Sequence, residues 1–81
     1  MSDPYVELAN AIIYEAAMDY KLALIRLKRH PDSKYAEKEI KKLEDFFYSS
    51  EYEMLTNLNP DYLIRKMKEE VANAHKLELF G

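Results

Sequence analysis

Two carboxylates one helical turn apart, Glu15 and Asp19, and two histidines, His30 and His75, are the residues of this 81-residue chain that come nearest to a metal site. Carboxylates at i and i+4 project from one helical face and can share a hard cation. Arg26 follows on the same flank, so a solvated ionic flank is the expectation instead. His30 falls in a turn and His75 near the end of the sequence. Neither has a second histidine three or four residues away, the spacing that sets two imidazoles on one metal. Cysteine is absent, which excludes disulfides, thiolate sites and cysteine nucleophiles. A hydroxyl nucleophile must be held by a histidine, whereas Ser2, Ser33, Ser49, Ser50 and Thr56 all stand at expected helix ends. The one glycine, Gly81, leaves no loop in which successive backbone N–H groups could converge on a phosphate. The expectation is a protein that is not an enzyme and holds no metal or cofactor.

What remains is surface, and its charge is unevenly placed. The formal net charge is only −3, yet residues 1–19 carry four acids and no base, 20–42 eight bases against three acids, and 43–63 five acids and no base. A weak polyion of this kind favours local recognition over bulk attraction to nucleic acid. Arg26, Lys28, Arg29, Lys34, Lys38, Lys41 and Lys42 form the candidate nucleic-acid face. Glu37 and Glu39 are interleaved with them and no aromatic stands among the lysines to stack a base, so a solvated outer face is preferred. The corner Ser49 to Met67 has the outline of a helix-turn-helix. Its second helix opens Pro60-Asp61-Tyr62, however, where a DNA reader presents Arg, Lys, Gln or Asn. It reads as a corner of a bundle.

The acidic quarter is a stronger candidate. Glu44, Asp45, Tyr48, Glu51, Tyr52, Glu53, Asp61 and Tyr62, with Phe46 beside them, combine negative charge with rigid aromatic anchors, a composition suited to a basic site on another protein. Phe46 and Phe47 cannot both face inward on one helix, so at least one stands at an edge.

These groups must be positioned by helices, because strands and hairpins want glycine-containing turns that this chain lacks. Asp3 before Pro4 is a helix cap with proline at the first helical position. No breaker follows until His30-Pro31, which predicts a first helix of roughly 25 residues. At 100° per residue, Tyr5, Val6, Ala9, Ile12, Ile13, Ala16, Ala17, Tyr20, Ala23, Leu24 and Leu27 share an arc of about 140° as the core face. Ala9, Ala16 and Ala23 recur every seven positions, which allows a close neighbour.

Asp32 or Ser33 caps a second helix from about Lys34 to Tyr48, antiparallel to the first, burying Ala36, Ile40, Leu43 and Phe47, with Tyr35 and Phe46 at its edge. Ser50 and Glu53 fit a capping box that opens a two-turn helix ending near Leu58. Asn59-Pro60 repeats the cap-and-proline start for a last helix that buries Leu63, Ile64, Met67, Val71 and Ala74, with outer ion pairs Arg65–Glu69 and Lys66–Glu70. The prediction is an all-α single domain over residues 1–81: a long antiparallel helix hairpin, a two-turn helix and a final amphipathic helix.

One stripe of helix one does not fit a simple hairpin. Tyr14, Met18, Leu22 and Ile25 lie nearly opposite the core arc. Either the short helix or the Leu77 to Phe80 tail folds across them, or two copies meet antiparallel in a two-fold dimer with each Leu22 near the Met18 of its mate.

Between Ala11 and Val71 the chain spells AIIYEAAMDYKLALIRLKRHPDSKYAEKEIKKLEDFFYSSEYEMLTNLNPDYLIRKMKEEV. A helix ending Leu27-Lys28-Arg29, a turn with Pro31, Glu44-Asp45-Phe46-Phe47-Tyr48-Ser49, an aromatic before Leu55-Thr56, and Pro60-Asp61-Tyr62-Leu63-Ile64 follow in order. This pattern resembles short helical proteins encoded in phages and integrative mobile elements of Gram-positive bacteria, many of which carry an acidic-Gly-Glu turn where Asn59-Pro60-Asp61 stands. The resemblance implies a mobile-element accessory protein that binds and occludes a host or defence protein, inhibitor-like and comparable to anti-CRISPR proteins. A role in replication or gene control is the alternative. It transfers no catalytic residue. MSDPYVEL lacks the basic start and apolar core of a signal peptide, and no apolar run approaches the ~18 residues of a membrane span, so the cytoplasm of a bacterial host is the expected location.

Overall fold

The computed structural model describes the backbone of residues 3–80 and the side chains of residues 3–73. Helix α1 (Pro4–Arg29) starts where Asp3 accepts a hydrogen bond from the Tyr5 N–H at 2.9 Å, with Pro4 in the first turn. Ser33, one of the two expected caps, accepts from the Ala36 N–H at 3.1 Å and opens α2 (Lys34–Phe47). The short α3 (Ser50–Leu55) follows, and α4 (Pro60–Phe80) begins on Asn59, whose Oδ1 accepts from Asp61 N–H at 2.8 Å and Tyr62 N–H at 3.3 Å. Among the described residues there is no strand, and the molecule is the small all-α bundle that its caps and missing glycines predict. No helix among the described residues is long and apolar enough to cross a membrane.

Helix α1 is the spine against which the other three pack. Arg26 lies beside Tyr35 and Tyr20 beside Glu44, so α2 descends antiparallel to α1. Lys21 meets Glu70 at 2.9 Å, and Leu27 lines a groove with Val71, so α4 runs back in the sense of α1. The core cluster draws on all four helices: Ile13 and Tyr20, Phe47, Tyr52, and Ile64 and Met67. Its centre is aromatic. Phe47 meets Tyr20 and Tyr52 edge to face, with centroids 5.6 and 5.9 Å apart, while half-buried Phe46 closes the edge at 6.0 Å from Tyr52. The two adjacent phenylalanines divide between centre and edge as the helical period requires. Buried Ala9, Ala23 and Ala36 are the small residues that let α1 be crowded.

Several sequence expectations are corrected. Tyr5, Val6 and Ile12, placed on the core arc, are exposed. At 1.5 Å per residue, α1 is about 39 Å long and α2 only about 21 Å, so α2 leaves the first turns of α1 without an equal neighbour. Helix α3 reaches them through a Tyr5 Oη to Met54 carbonyl hydrogen bond at 3.5 Å.

The cap of α3 is Ser49 rather than Ser50. Its Oγ accepts from Tyr52 N–H at 3.2 Å and donates to the Phe46 carbonyl at 2.6 Å, tying α3 to the end of α2. The box of Ser50 with Glu53 is therefore not the start, and α3 stops at Leu55, where Thr56 turns to extended backbone. Lys66 pairs with Glu69 at 3.7 Å rather than with Glu70, which is drawn across to Lys21. The apolar tail from Leu77 continues the α4 backbone to Phe80 instead of reversing, and its side chains, like Ala74 and His75, lie outside the described residues.

Tyr52 is 1% exposed, and its hydroxyl has no hydrogen-bond partner among the described residues. Burial raises its phenol above the ordinary tyrosine range. A buried unpaired hydroxyl costs its desolvation, which phenylalanine avoids while keeping the ring contacts. Tyr52→Phe should leave stability unchanged or raise it by about 1 kcal/mol in urea denaturation. A loss above about 1 kcal/mol would show that the hydroxyl is satisfied in solution.

Candidate partner-binding site

The acidic quarter of the chain folds into one end of the bundle, made by the last turn of α2, α3, the connection 56–59 and the first turn of α4. Two of the aromatics expected to face a partner are absent from that surface: Tyr52 is in the core and Phe46 is half-buried against it. Glu44 is also half-buried and engaged, because Tyr20 Oη donates to its Oε2 at 2.5 Å. Asp45 faces Lys41 at 3.6 Å. Three of the eight expected residues, Tyr52, Glu44 and Asp45, thus serve packing, an internal hydrogen bond or a local ion pair, leaving Tyr48, Glu51, Glu53, Asp61 and Tyr62 with Asp45 on the outside.

Those that remain are arranged. Tyr48 stands exposed just past α2 and donates from its hydroxyl to the Asp61 carboxylate at the start of α4, so two elements are joined at the surface. That hydrogen bond to Asp61 is the main reason the Tyr48 phenol lies above the usual tyrosine range. Tyr62 is held on its other side, with Arg65 5.6 Å and Lys66 5.8 Å from its ring centroid. Between Tyr48 and the connection lies a recess of about 340 Å³ whose walls include Phe47, Glu53, Thr56 and Leu58.

Sequence reasoning missed two apolar members of this end, Met54 and Leu58. Met54 is 74% exposed and Leu58 is also exposed. Two positions along a helix is about 200° of rotation, so once Tyr52 is inward Met54 must point out. Leu58 was placed at the close of α3, but α3 ends earlier and leaves it in the connection, where its N–H donates to Thr56 Oγ1 at 3.2 Å.

The seven bases proposed as a nucleic-acid face are not brought onto one surface. Arg26 lines the groove between α1 and α2, its guanidinium 5.1 Å from the centroid of Tyr35, whereas Lys28 lines the groove between α1 and α4 beside Lys68. Arg29 is exposed at the end of α1. On α2, Lys34 is 3.8 Å from Glu37 and Lys41 is paired with Asp45, while Lys38 and Lys42 are exposed. Glu15 and Asp19 line a shallow recess with Lys42. Among the described residues no three His, Cys, Asp or Glu side chains converge as a ligand set.

No protein-family model matches the chain, and no curated protein or solved structure matches it.

Proposed function

We propose that this is a non-catalytic binding protein whose acidic end docks on a basic surface of another protein and occludes it. The observation that carries this reading is the make-up of that end. Residues 43–63 hold five acids and no base, and the fold exposes Tyr48, Met54, Leu58 and Tyr62 among them, with Tyr48 and Leu58 lining one recess. Rigid aromatics and an adaptable methionine inside a charged rim are the ingredients of a hot spot. The Tyr48–Asp61 contact lowers the entropy cost of ordering the anchor on binding. The resemblance of residues 11–71 to short phage and integrative-element proteins supports the accompanying proposal that the partner is a host or defence protein, met in the bacterial cytoplasm in an inhibitor-like role.

The test is capture from a Gram-positive host lysate with three forms of the chain side by side, the captured protein then being purified for affinity measurement. Met54→Asp with Tyr48→Ala should weaken binding by about 30-fold or more, the size of a hot-spot loss. Lys38→Glu with Lys42→Glu should change it less than about 3-fold, and higher salt should weaken it moderately. The reading fails if the lysine variant abolishes capture and the acidic-end variant does not. Tight binding to duplex DNA whose affinity falls steeply with salt would instead favour the nucleic-acid role.

A further inference from the structure

The outer face of α1 carries a pattern independent of the acidic end. Glu7, Ala11, Tyr14, Met18, Leu22, Ile25 and Arg29 follow at spacings of four, three, four, four, three and four. They fall within an arc of about 80°. The order of spacings is the same read from either end, with Met18 at its centre. An 11-residue repeat is close to the natural helical period, so the seam runs nearly straight along the helix instead of drifting off it.

Among the described residues nothing covers the middle of this seam. Tyr14 is 68% and Leu22 60% exposed, Met18 is also exposed, and Ile25 is half-buried. Helix α2 lies on one flank, where Ala23 and Arg26 face Tyr35, and α4 on the other, where Lys21 meets Glu70. The short helix, one of the two covers considered from the sequence, does not fold across, because α3 sits at the opposite side of α1 with Tyr52 in the core; the side chains of the other, the Leu77 to Phe80 tail, lie outside the described residues.

We propose that the occupant is a second copy of this chain, with the two α1 helices antiparallel about a two-fold axis at Met18. That operation sets Met18 on Met18, Tyr14 on Leu22, Ala11 on Ile25 and Glu7 on Arg29. Ala11 against Ile25 sets small against large, and Tyr14 against Leu22 sets apolar against apolar. The charge of the whole helix argues for the same sense: residues 3–19 hold four acids and no base, and residues 20–29 four bases and no acid. Antiparallel copies bring opposite halves together and oppose their helix dipoles, whereas parallel copies would set like against like. A closed two-fold contact of this kind uses the same patch twice. The surface is separate from the acidic end, so the dimer presents two such ends and does not rest on the binding role proposed for them.

Sedimentation of the full chain from about 5 to 500 µM should show reversible doubling of the 9.6 kDa mass. Leu22→Glu should weaken self-association by more than about 30-fold at an unchanged melting temperature. The chain lacks cysteine, so single thiols report orientation. With oxidised glutathione as oxidant, Met18→Cys should link to itself. Ala11→Cys alone should not, but a mixture with Ile25→Cys should form the mixed covalent dimer. Adding Leu22→Glu to Met18→Cys should suppress linkage. A monomeric mass throughout, a fall in melting temperature without change of mass in Leu22→Glu, or self-linking of Ala11→Cys as fast as that of Met18→Cys would each overturn the proposal.

Discussion

Phe47→Ala should lower the stability of this protein by about 3–5 kcal/mol, a large share of the total. Phe47 is fully buried where α2 meets α3, and its ring contacts Tyr20 of α1, Tyr52 of α3 and its neighbour Phe46. Truncating a phenylalanine in such a place costs about 3–5 kcal/mol, from lost burial and from the cavity left between rings that cannot collapse independently. A chain of this length is worth only about 4–12 kcal/mol in total at the usual 0.05–0.15 kcal/mol per residue. Phe46→Ala, at the edge of the same cluster, should cost about 1–2 kcal/mol because water already reaches that site. Urea denaturation followed by circular dichroism measures both. Equal losses for the two variants would mean that the aromatic centre is misplaced.

Tyr20→Phe is the second large effect, and its cause is polar. The Tyr20 hydroxyl donates to Glu44 Oε2 at 2.5 Å, a bond to a charged acceptor in a half-buried setting. Removing the donor leaves the carboxylate under-solvated and should cost about 1.5–3 kcal/mol at pH 7. The same contact sets an alkaline limit. Burial first, then the hydrogen bond and charge of Glu44, push the Tyr20 phenol far above its ordinary value of 10.0. The folded state therefore keeps a proton that the unfolded chain releases near pH 10. The stabilisation is complete below about pH 10 and is lost as pH rises toward the folded-state value, at up to about 1.4 kcal/mol per pH unit. Tyr48 and Tyr52 are shifted in the same direction and add to the slope. In wild type, urea midpoints should fall above about pH 10, and Tyr20→Phe should make that fall shallower. An unchanged slope would mean that Tyr20 is not the group responsible.

The contrast between Tyr20, Tyr48 and Tyr52 shows where sequence information ends. Tyr20 was assigned to the core by its place on the α1 arc, which a 26-residue periodic helix defines well. Tyr48 and Tyr52 sit in a segment that changes direction twice, so no period spans them. One became an exposed residue and the other a core residue only when α3 docked on α2. The adjacent serines 49 and 50 are equivalent as caps by type. Ser49 won because its hydroxyl also reaches the Phe46 carbonyl, a bond that exists once α2 has ended there. Glu70 offered an i,i−4 partner in Lys66 and was taken by Lys21 from another helix.

The starts of α1 and α4 needed nothing beyond Asp3-Pro4 and Asn59-Pro60, because a cap satisfies backbone donors within three residues. The inward faces of α1 and α2 followed from the 3.6-residue period, which is likewise local. Which part of the α1 face is covered was decided by the lengths of its neighbours, and the membership of the acidic end by how two changes of chain direction pack. Those depend on contacts between residues far apart in the chain, and one chain's order of residue types does not specify them by local rules.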